Sequence, residues 1–332
     1  MSTKIKLSIC IPTYNRPEKL EVVLLQLIPQ LTSDCELLIR DDSNNEDTAS
    51  LIGKLQRSKK VKISLYRGHK IGLDLANLFL LEKAKGIFVW WVSDDEEVGS
   101  SAVEKIIETI DNNHQTTFIW LNFISSFSGK LAVPNRSDGF FENNADFFDT
   151  VGPSIGLLSC LVIRRLDSLP FLEMAKSKEI GFGFAALIPI FGAISKNDKI
   201  YFLKGPLIVN HPTDMQTIEE QSKLRVVDKG SLAFEVYAIN FPDTLRIFET
   251  NLDKNAIRRL VARNFSNFWR GFVIGIGKGY DTVRGKRIEL IRRYWWHPEF
   301  FLAFALMHMP QLFLITMYKI YKIIKSKTAQ RA

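Results

Sequence analysis

The 332-residue sequence predicts an α/β fold, Rossmann-like, with a mainly parallel sheet flanked by helices and a helical, basic and apolar extension at its C-terminal end. Three observations carry that prediction. Short β-branched apolar runs alternate with helix-length amphipathic patterns over residues 6–113, the pattern of strand–helix–strand crossovers. Each run ends in a polar turn. Charge is also split unevenly: Lys254 to Ala332 holds 16 Lys and Arg against 3 Asp and Glu, or +13, while the remainder holds 28 against 33, or −5.

The elements follow in order. "KLSICIP" (6–12) reads as the first strand, and "PEKLEVVLLQLIPQL" as a helix that tolerates Pro17 in its first turn, where the missing N–H is not needed. "CELLIR" (35–40) repeats the strand, followed by a turn rich in Asp, Ser and Asn and a helix from about Asp47. "VKISLYRG" (61–68) is a third strand, "GLDLANLFLLEKAKG" (72–86) a third helix, "GIFVWWVS" (86–93) a fourth strand and "SSAVEKIIETIDNN" the helix after it. Ligands of such sheets bind outside the carboxyl ends of the strands. The turns "PTYNR", "RDDSNN" and "VSDDEE" should therefore converge on one edge.

The composition bounds the function. With 46% hydrophobic and 24% charged residues the chain is globular, and Cys10, Cys35 and Cys160 lack metal-ligand or paired spacing, so no zinc or redox role is indicated. No signal-peptide-like apolar region follows the first residues, which keeps the first domain in the cytosol. The acids at the strand ends have two readings. As helix caps they complement the dipole, which suits Asp47, Glu96 and Glu97. Asp42, Asp94 and Asp95 stand at the strand ends before the helices begin, where several carboxylates repel one another unless a cation joins them.

"SICIPTYNRPEKL", "LLIRDDSNNEDT" and "AKGIFVWWVSDDEEV", in this order and at these separations, resemble the nucleotide-sugar half of a family 2 glycosyltransferase with the GT-A fold. Within that family "IGLDLANLFLLEKAKG", followed by a Trp-rich strand and an acidic pair, resembles bacterial sugar transferases of surface-polysaccharide (O-antigen or capsule) assembly. The resemblance implies a catalytic domain over 1–215, divided into a nucleotide-sugar half (1–111) and an acceptor half (112–215), and a separate C-terminal region over 216–332. It implies that Pro12, Thr13 and Tyr14 hold the nucleoside and that Asp41 or, as favoured here, Asp42 accepts a hydrogen bond from the base. Arg67 would meet the diphosphate and Asp94 the sugar or ribose. Asp95, with His211 of "VNHP" after the late strand, would hold a divalent metal, Mn²⁺ or Mg²⁺.

The motif departs from the commonest family pattern, because Val92 stands where a first acid is usual, leaving "VSDD". A second departure concerns the general base. The acidic pair of the family falls near Ala185 and Ala186, neither of which can take a proton, so Glu179 in "KSKEIGFGF" becomes the candidate, with Asp149 and Asp167 as poorer ones.

In the tail, only His308, Pro310, Gln311 and Thr316 interrupt the apolar run Phe300 to Met317. Three readings stand: a transmembrane helix, interfacial helices with basic residues at the head groups, or a packing element. The interfacial reading is favoured, while nucleic-acid binding does not account for the apolar run. The resemblance implies hexosyl or deoxyhexosyl transfer from a nucleotide sugar to a lipid-linked oligosaccharide, and the tail places the chain, peripheral or monotopic, on the cytoplasmic face of the inner membrane. A non-catalytic nucleotide-binding partner in glycan assembly is the alternative.

Overall fold

The computed structural model describes residues 5–59, 61–177, 183–211, 235–277, 287–310, 312–316 and 319–320. Strands β1 (Leu7–Thr13), β2 (Cys35–Asp41), β3 (Ile63–Arg67) and β4 (Phe88–Trp91) alternate with helices α1 (Pro17–Leu27), α2 (Asp47–Lys59) and α3 (Leu73–Lys83). The short β5 (Glu97–Val98) precedes α4 (Ala102–Asn112), which buries Ala102, Val103, Ile106 and Ile110, one face at helical spacing. Pro17 occupies the first turn of α1, as its fixed φ favours.

The second half supplies β6 (Phe118–Ser125), β7 (Lys130–Leu131), β8 (Gly139–Phe140), α5 (Asn144–Val151), β9 (Leu161–Arg164), α6 (Arg165–Ser168), α7 (Leu172–Lys176), α8 (Leu187–Lys196) and β10 (Ile200–Asn210). Among the described residues ten strands form one sheet of order β3-β2-β1-β4-β9-β6-β10-β5, with β7 beside β6 and β8 beside β10. The quartet β3-β2-β1-β4 is parallel, as the alternating pattern implies.

Beyond it the sheet is mixed rather than parallel. β9 enters antiparallel between β4 and β6, and the chain reaches it from α5 through 3₁₀ turns (Gly152–Gly156 and Leu158–Cys160). Two reversals restore the direction, so β6 and its parallel neighbour β10 run with β4. The carboxyl ends of β1, β2, β3, β4, β6 and β10 consequently share one edge. Strand order turns back at β1, whose successor β2 lies on one side and β4 on the other, which makes the crevice between β1 and β4 the switch point where ligands of such sheets bind.

Trp90, Trp91, Trp120, Phe118 and Phe202 are fully buried in the sheet, and Trp120 stacks on Phe202 with centroids 5.6 Å apart. Gly86 precedes β4 where a Cβ would lie 2.6 Å from the Ser8 nitrogen, so only glycine lets the strand enter beside β1. Cys10 and Cys160 are buried free thiols that burial pushes well above their ordinary pKa.

The chain divides into two compact units, Met1–Pro212 with Thr244–Ile257, and Thr213–Asp243 with Arg258–Ala332. The described residues of the second include the helices Arg287–Tyr294 and Pro298–His308. Within it the buried Tyr294 hydroxyl donates to the Ala238 carbonyl at 2.8 Å, and Trp269 Nε1 donates to Glu299 Oε2 at 2.8 Å. The apolar run from Phe300 is interrupted: the helix stops at His308, Met309 is extended (ψ 150°) and Pro310 follows. Among the described residues no helix is long and apolar enough to cross a membrane, which removes the spanning reading for them.

Candidate active site

Thr13 ends β1 and Asp94 lies three residues past the end of β4, so the switch point brings together two residues 81 positions apart. Thr13 Oγ1 donates to Asp94 Oδ2 at 2.7 Å, and both side chains are buried. Arg16, in the turn after β1, reaches across: its Nη1 lies 3.1 Å from Asp94 Oδ1 and 3.2 Å from Asp95 Oδ2. This corrects the premise that the paired acids lack compensation. A single guanidinium nitrogen of the protein already bridges them. Arg16 belongs to the "PTYNR" turn, but its role depends on a partner far along the chain.

Burial raises the Asp94 carboxyl to about 6, against the opposing pull of Arg16 and the Thr13 hydrogen bond. Asp94 is thus poised between charged and neutral near pH 6. Asp95 is more exposed.

The second loop is tied in tightly. The Asp42 amide donates to the Thr13 carbonyl at 3.0 Å. Its carboxylate accepts from Arg40 Nε at 2.9 Å through Oδ1, and from the backbone amides of Ile71 and Gly72 at 2.9 and 2.8 Å through Oδ2. Arg40 in turn donates to the His69 carbonyl at 2.9 Å. Asp42 and Arg40 thereby latch the β3–α3 loop to the end of β2. Asp41 accepts from the Ser43 amide at 2.9 Å and from Arg67 Nε at 3.3 Å. Arg67 also holds Glu46 Oε2 at 2.7 Å and the Asn45 carbonyl, so its whole fork is engaged by the second loop. Pro12 is buried in β1 opposite Arg40, and the Tyr14 ring lies under Lys70 Nζ, 3.2 Å from its centroid.

Glu96 and Glu97 are not first-turn caps, because α4 begins only at Ala102. Glu96 is buried and takes hold of the end of β10: Oε1 accepts from Asn210 Nδ2 at 2.9 Å and Oε2 from the His211 amide at 3.0 Å. Burial lifts its carboxyl to about 7, with both hydrogen bonds opposing. The His211 ring meets Glu97 Oε1 at 2.8 Å. Asp47, by contrast, does sit in the first turn of α2.

In the second half of the sheet, Ser159 precedes β9 and joins the site edge: its Oγ accepts from the Ser93 amide at 3.0 Å and its carbonyl from Trp90 Nε1 at 2.8 Å. Asp167 is on the other edge, since β9 runs antiparallel and Arg164, its ion-pair partner at 3.6 Å, stands opposite Phe88 at the start of β4. It is corrected as a base candidate on that ground. Asp149 is exposed near the end of α5. Glu179 lies outside the described residues. The turn that follows it is anchored at the site edge, where Asp74 in the first turn of α3 accepts from the amides of Gly183 and Ala185, at 2.5 and 3.2 Å. Ala185 and Ala186 are both buried.

Among the described residues no group of three or more His, Cys, Asp or Glu is placed to hold a metal ion by itself. The donor set nevertheless fits a hard cation that arrives with phosphates, because such an ion needs only one or two protein carboxylates, and Asp95 is partly exposed beside Asp94.

Residues 8–157 match the family model described as Glycosyl transferase family 2. A curated relative from Campylobacter jejuni, GalNAc(5)-diNAcBac-PP-undecaprenol β-1,3-glucosyltransferase, is 30% identical over 114 residues, 34% of this chain and 37% of the relative. Poly(ribitol-phosphate) β-N-acetylglucosaminyltransferase TarS of Staphylococcus aureus is 22% identical over 207 residues, 62% of this chain and 33% of the relative. The chain thus spans about a third of the length of these curated relatives. Among solved structures, S. aureus TarS 1–349 in complex with UDP superposes with TM-score 0.58 at 16% identity, covering 96% of this chain and 91% of that one. Mannosyltransferase PcManGT from Pyrobaculum calidifontis, in complex with GDP-Man and Mn²⁺, gives TM-score 0.53 at 10% identity, covering 93% and 85%. At such identities these structures show a shared GT-A fold.

Proposed function

We propose that this chain, whose residues 8–157 match the Glycosyl transferase family 2 model and whose fold is that of GT-A structures, transfers a hexosyl or deoxyhexosyl group from a nucleotide sugar to a hydroxyl of a lipid-linked glycan, in cell-surface polysaccharide biosynthesis. The observation that carries the reading is the Thr13–Asp94–Arg16–Asp95 constellation at the switch point between β1 and β4. The acceptor class is supported by the C. jejuni relative, whose name specifies a glycan on PP-undecaprenol. The cytoplasmic face of the membrane is the side on which nucleotide sugars are made.

In this reading the nucleoside lies on Pro12, Thr13 and Tyr14, with Asp41 and Asp42 shaping the loop that meets its base. Arg67 acts through that loop, which it braces. The acceptor oxygen attacks the anomeric carbon, the bond from that carbon to the β-phosphate oxygen breaks, and the hydroxyl proton passes to a base, for which Glu179 is the candidate. A single in-line displacement inverts the anomeric centre. Asp94 orients the sugar or ribose, and Asp95, with His211 near it in role, would hold Mn²⁺ or Mg²⁺ against the diphosphate. A bound divalent ion supplies Lewis-acid stabilisation of the charge that develops on the leaving diphosphate. Arg16 keeps the two carboxylates together before the donor arrives.

A non-catalytic nucleotide-binding role is favoured by one observation, the pair of buried alanines where the family carries acids. Titrating the purified protein with a panel of nucleoside diphosphates, with and without Mn²⁺ or Mg²⁺, separates these cases when followed by turnover of the preferred donor. Selective, divalent-dependent binding with turnover supports the enzyme, and binding without turnover on any lipid-linked acceptor supports the partner role. If no nucleoside diphosphate binds, both fail.

A further inference from the structure

Eight of the sixteen large apolar side chains that are exposed among the described residues fall between Ile288 and Ile320, a tenth of the chain. They are not scattered. In Arg287–Tyr294 and the turn after it, Ile288, Ile291 and Trp295 recur at helical spacing, with exposed Arg292 on the same face. The helix Pro298–His308 buries Phe300, Ala303 and Met307 on one side and exposes Phe301 (64%) and Leu302 (56%) on the other; Leu312 after it is 78% exposed. A helix apolar all round is ordinarily covered all round.

Charge and length decide what covers this face. The segment from Lys254 carries +13, so seating it on the same face of a second copy brings two strongly positive surfaces together, whereas anionic phospholipid neutralises them. The helix has 11 residues, about 16 Å of rise. That is half of the roughly 30 Å hydrocarbon core, so it lies in the interface rather than crossing it.

We propose that the exposed apolar side chains of this segment, Ile288, Trp295, Phe301, Leu302 and Leu312, dock on an anionic phospholipid bilayer, with these side chains in the head-group boundary and Arg292 and Lys319 at the phosphates. The proposal deepens the lipid-linked acceptor reading and rests on it: the face would hold the chain at the surface where such an acceptor is found.

The test is flotation of the full chain with vesicles of phosphatidylcholine alone and of phosphatidylcholine with 30% phosphatidylglycerol, alongside the variant Phe301→Ser/Leu302→Ser/Leu312→Ser. The parent floats with the anionic vesicles, 0.5 M salt lowers its partition only in part, and the triple variant partitions at least tenfold less. Nucleoside diphosphate binding, measured on the same samples, stays equal in both and tests the donor site separately. Because the triple variant disturbs three neighbours at once, brominated phospholipid provides an independent readout: it quenches the parent's fluorescence, and Trp295→Phe removes most of that quenching. The proposal is overturned if the parent stays with the unbound fraction, if the triple variant floats equally well, or if Trp295→Phe leaves the quenching intact. Light scattering that shows a dimer in the parent and a monomer in the triple variant, without flotation of either, would assign the face to a second copy instead.

Discussion

Replacing Asp94 by asparagine should make the protein more stable at pH 8 while removing most of its activity. The Asp94 side chain is only 8% exposed, and its carboxyl titrates near 6 in the folded chain against an ordinary 3.8. Between those values the folded state binds more protons than the unfolded one, so this group favours folding at low pH and its contribution is lost as pH rises through 6. Two pKa units correspond to about 3 kcal/mol held against folding at pH 8. Asparagine removes that burden and still accepts the Thr13 hydrogen bond through its amide oxygen. Its NH₂ group, however, faces the Arg16 guanidinium, a donor against a donor, which takes back about 1–2 kcal/mol. A net gain of about 1–2 kcal/mol remains, or roughly 2–8 °C in melting temperature for a unit of this size. Urea denaturation followed by circular dichroism, in EDTA at pH 8 and pH 4, reads both the gain and its disappearance at the lower pH. Sugar transfer should fall about 10²-fold or more, as when a preorganised polar contact to the reacting group is lost. Asp94→Asn less stable than the parent at pH 8, or equally stabilised at both pH values, refutes the account of a desolvated carboxylate.

Three further perturbations test other parts of the site. Asp95→Asn should leave the fold intact and abolish divalent-dependent nucleotide binding and transfer, since a neutral amide does not offset the ion's charge; parent-like activity at saturating donor and metal contradicts the assignment. Asp42→Asn leaves Arg40, itself buried, without its carboxylate and weakens the latch on Ile71 and Gly72, so it should cost about 3–5 kcal/mol, visible as a lower urea midpoint. A midpoint within about 0.5 kcal/mol of the parent would show that the latch contributes nothing. Glu179→Gln should keep nucleotide affinity and lose about 10²-fold or more in turnover; a loss below about threefold in a steady-state assay moves the base elsewhere.

The alternation of strands and helices through α4 was legible in the chain because each element declares its own periodicity within a dozen residues, and the strand order then places the polar turns on one edge. Pro17, Gly86 and the Trp-rich strand are local signals of that kind. The second half was less legible. The four-residue β9 is too short to announce a direction, which only its pairing with β4 and β6 decides.

The site divides in the same way. Sequence alone determined which turns gather acids at the carboxyl edge of the sheet, since acids that cluster after apolar strands are visible one turn at a time. Only the tertiary structure decided how those acids are balanced. The ion pair of Arg16 with Asp94 and Asp95, the hold of Glu96 on His211 and the grip of Asp74 on the turn after Glu179 join residues 78, 115 and about 110 positions apart. Two groups attract when they are a few ångströms apart and out of water, whatever their separation along the chain. Distance and desolvation exist only once the sheet has brought its carboxyl ends together, so the raised Asp94 carboxyl is a property of the fold, while the aspartate itself is a property of the sequence.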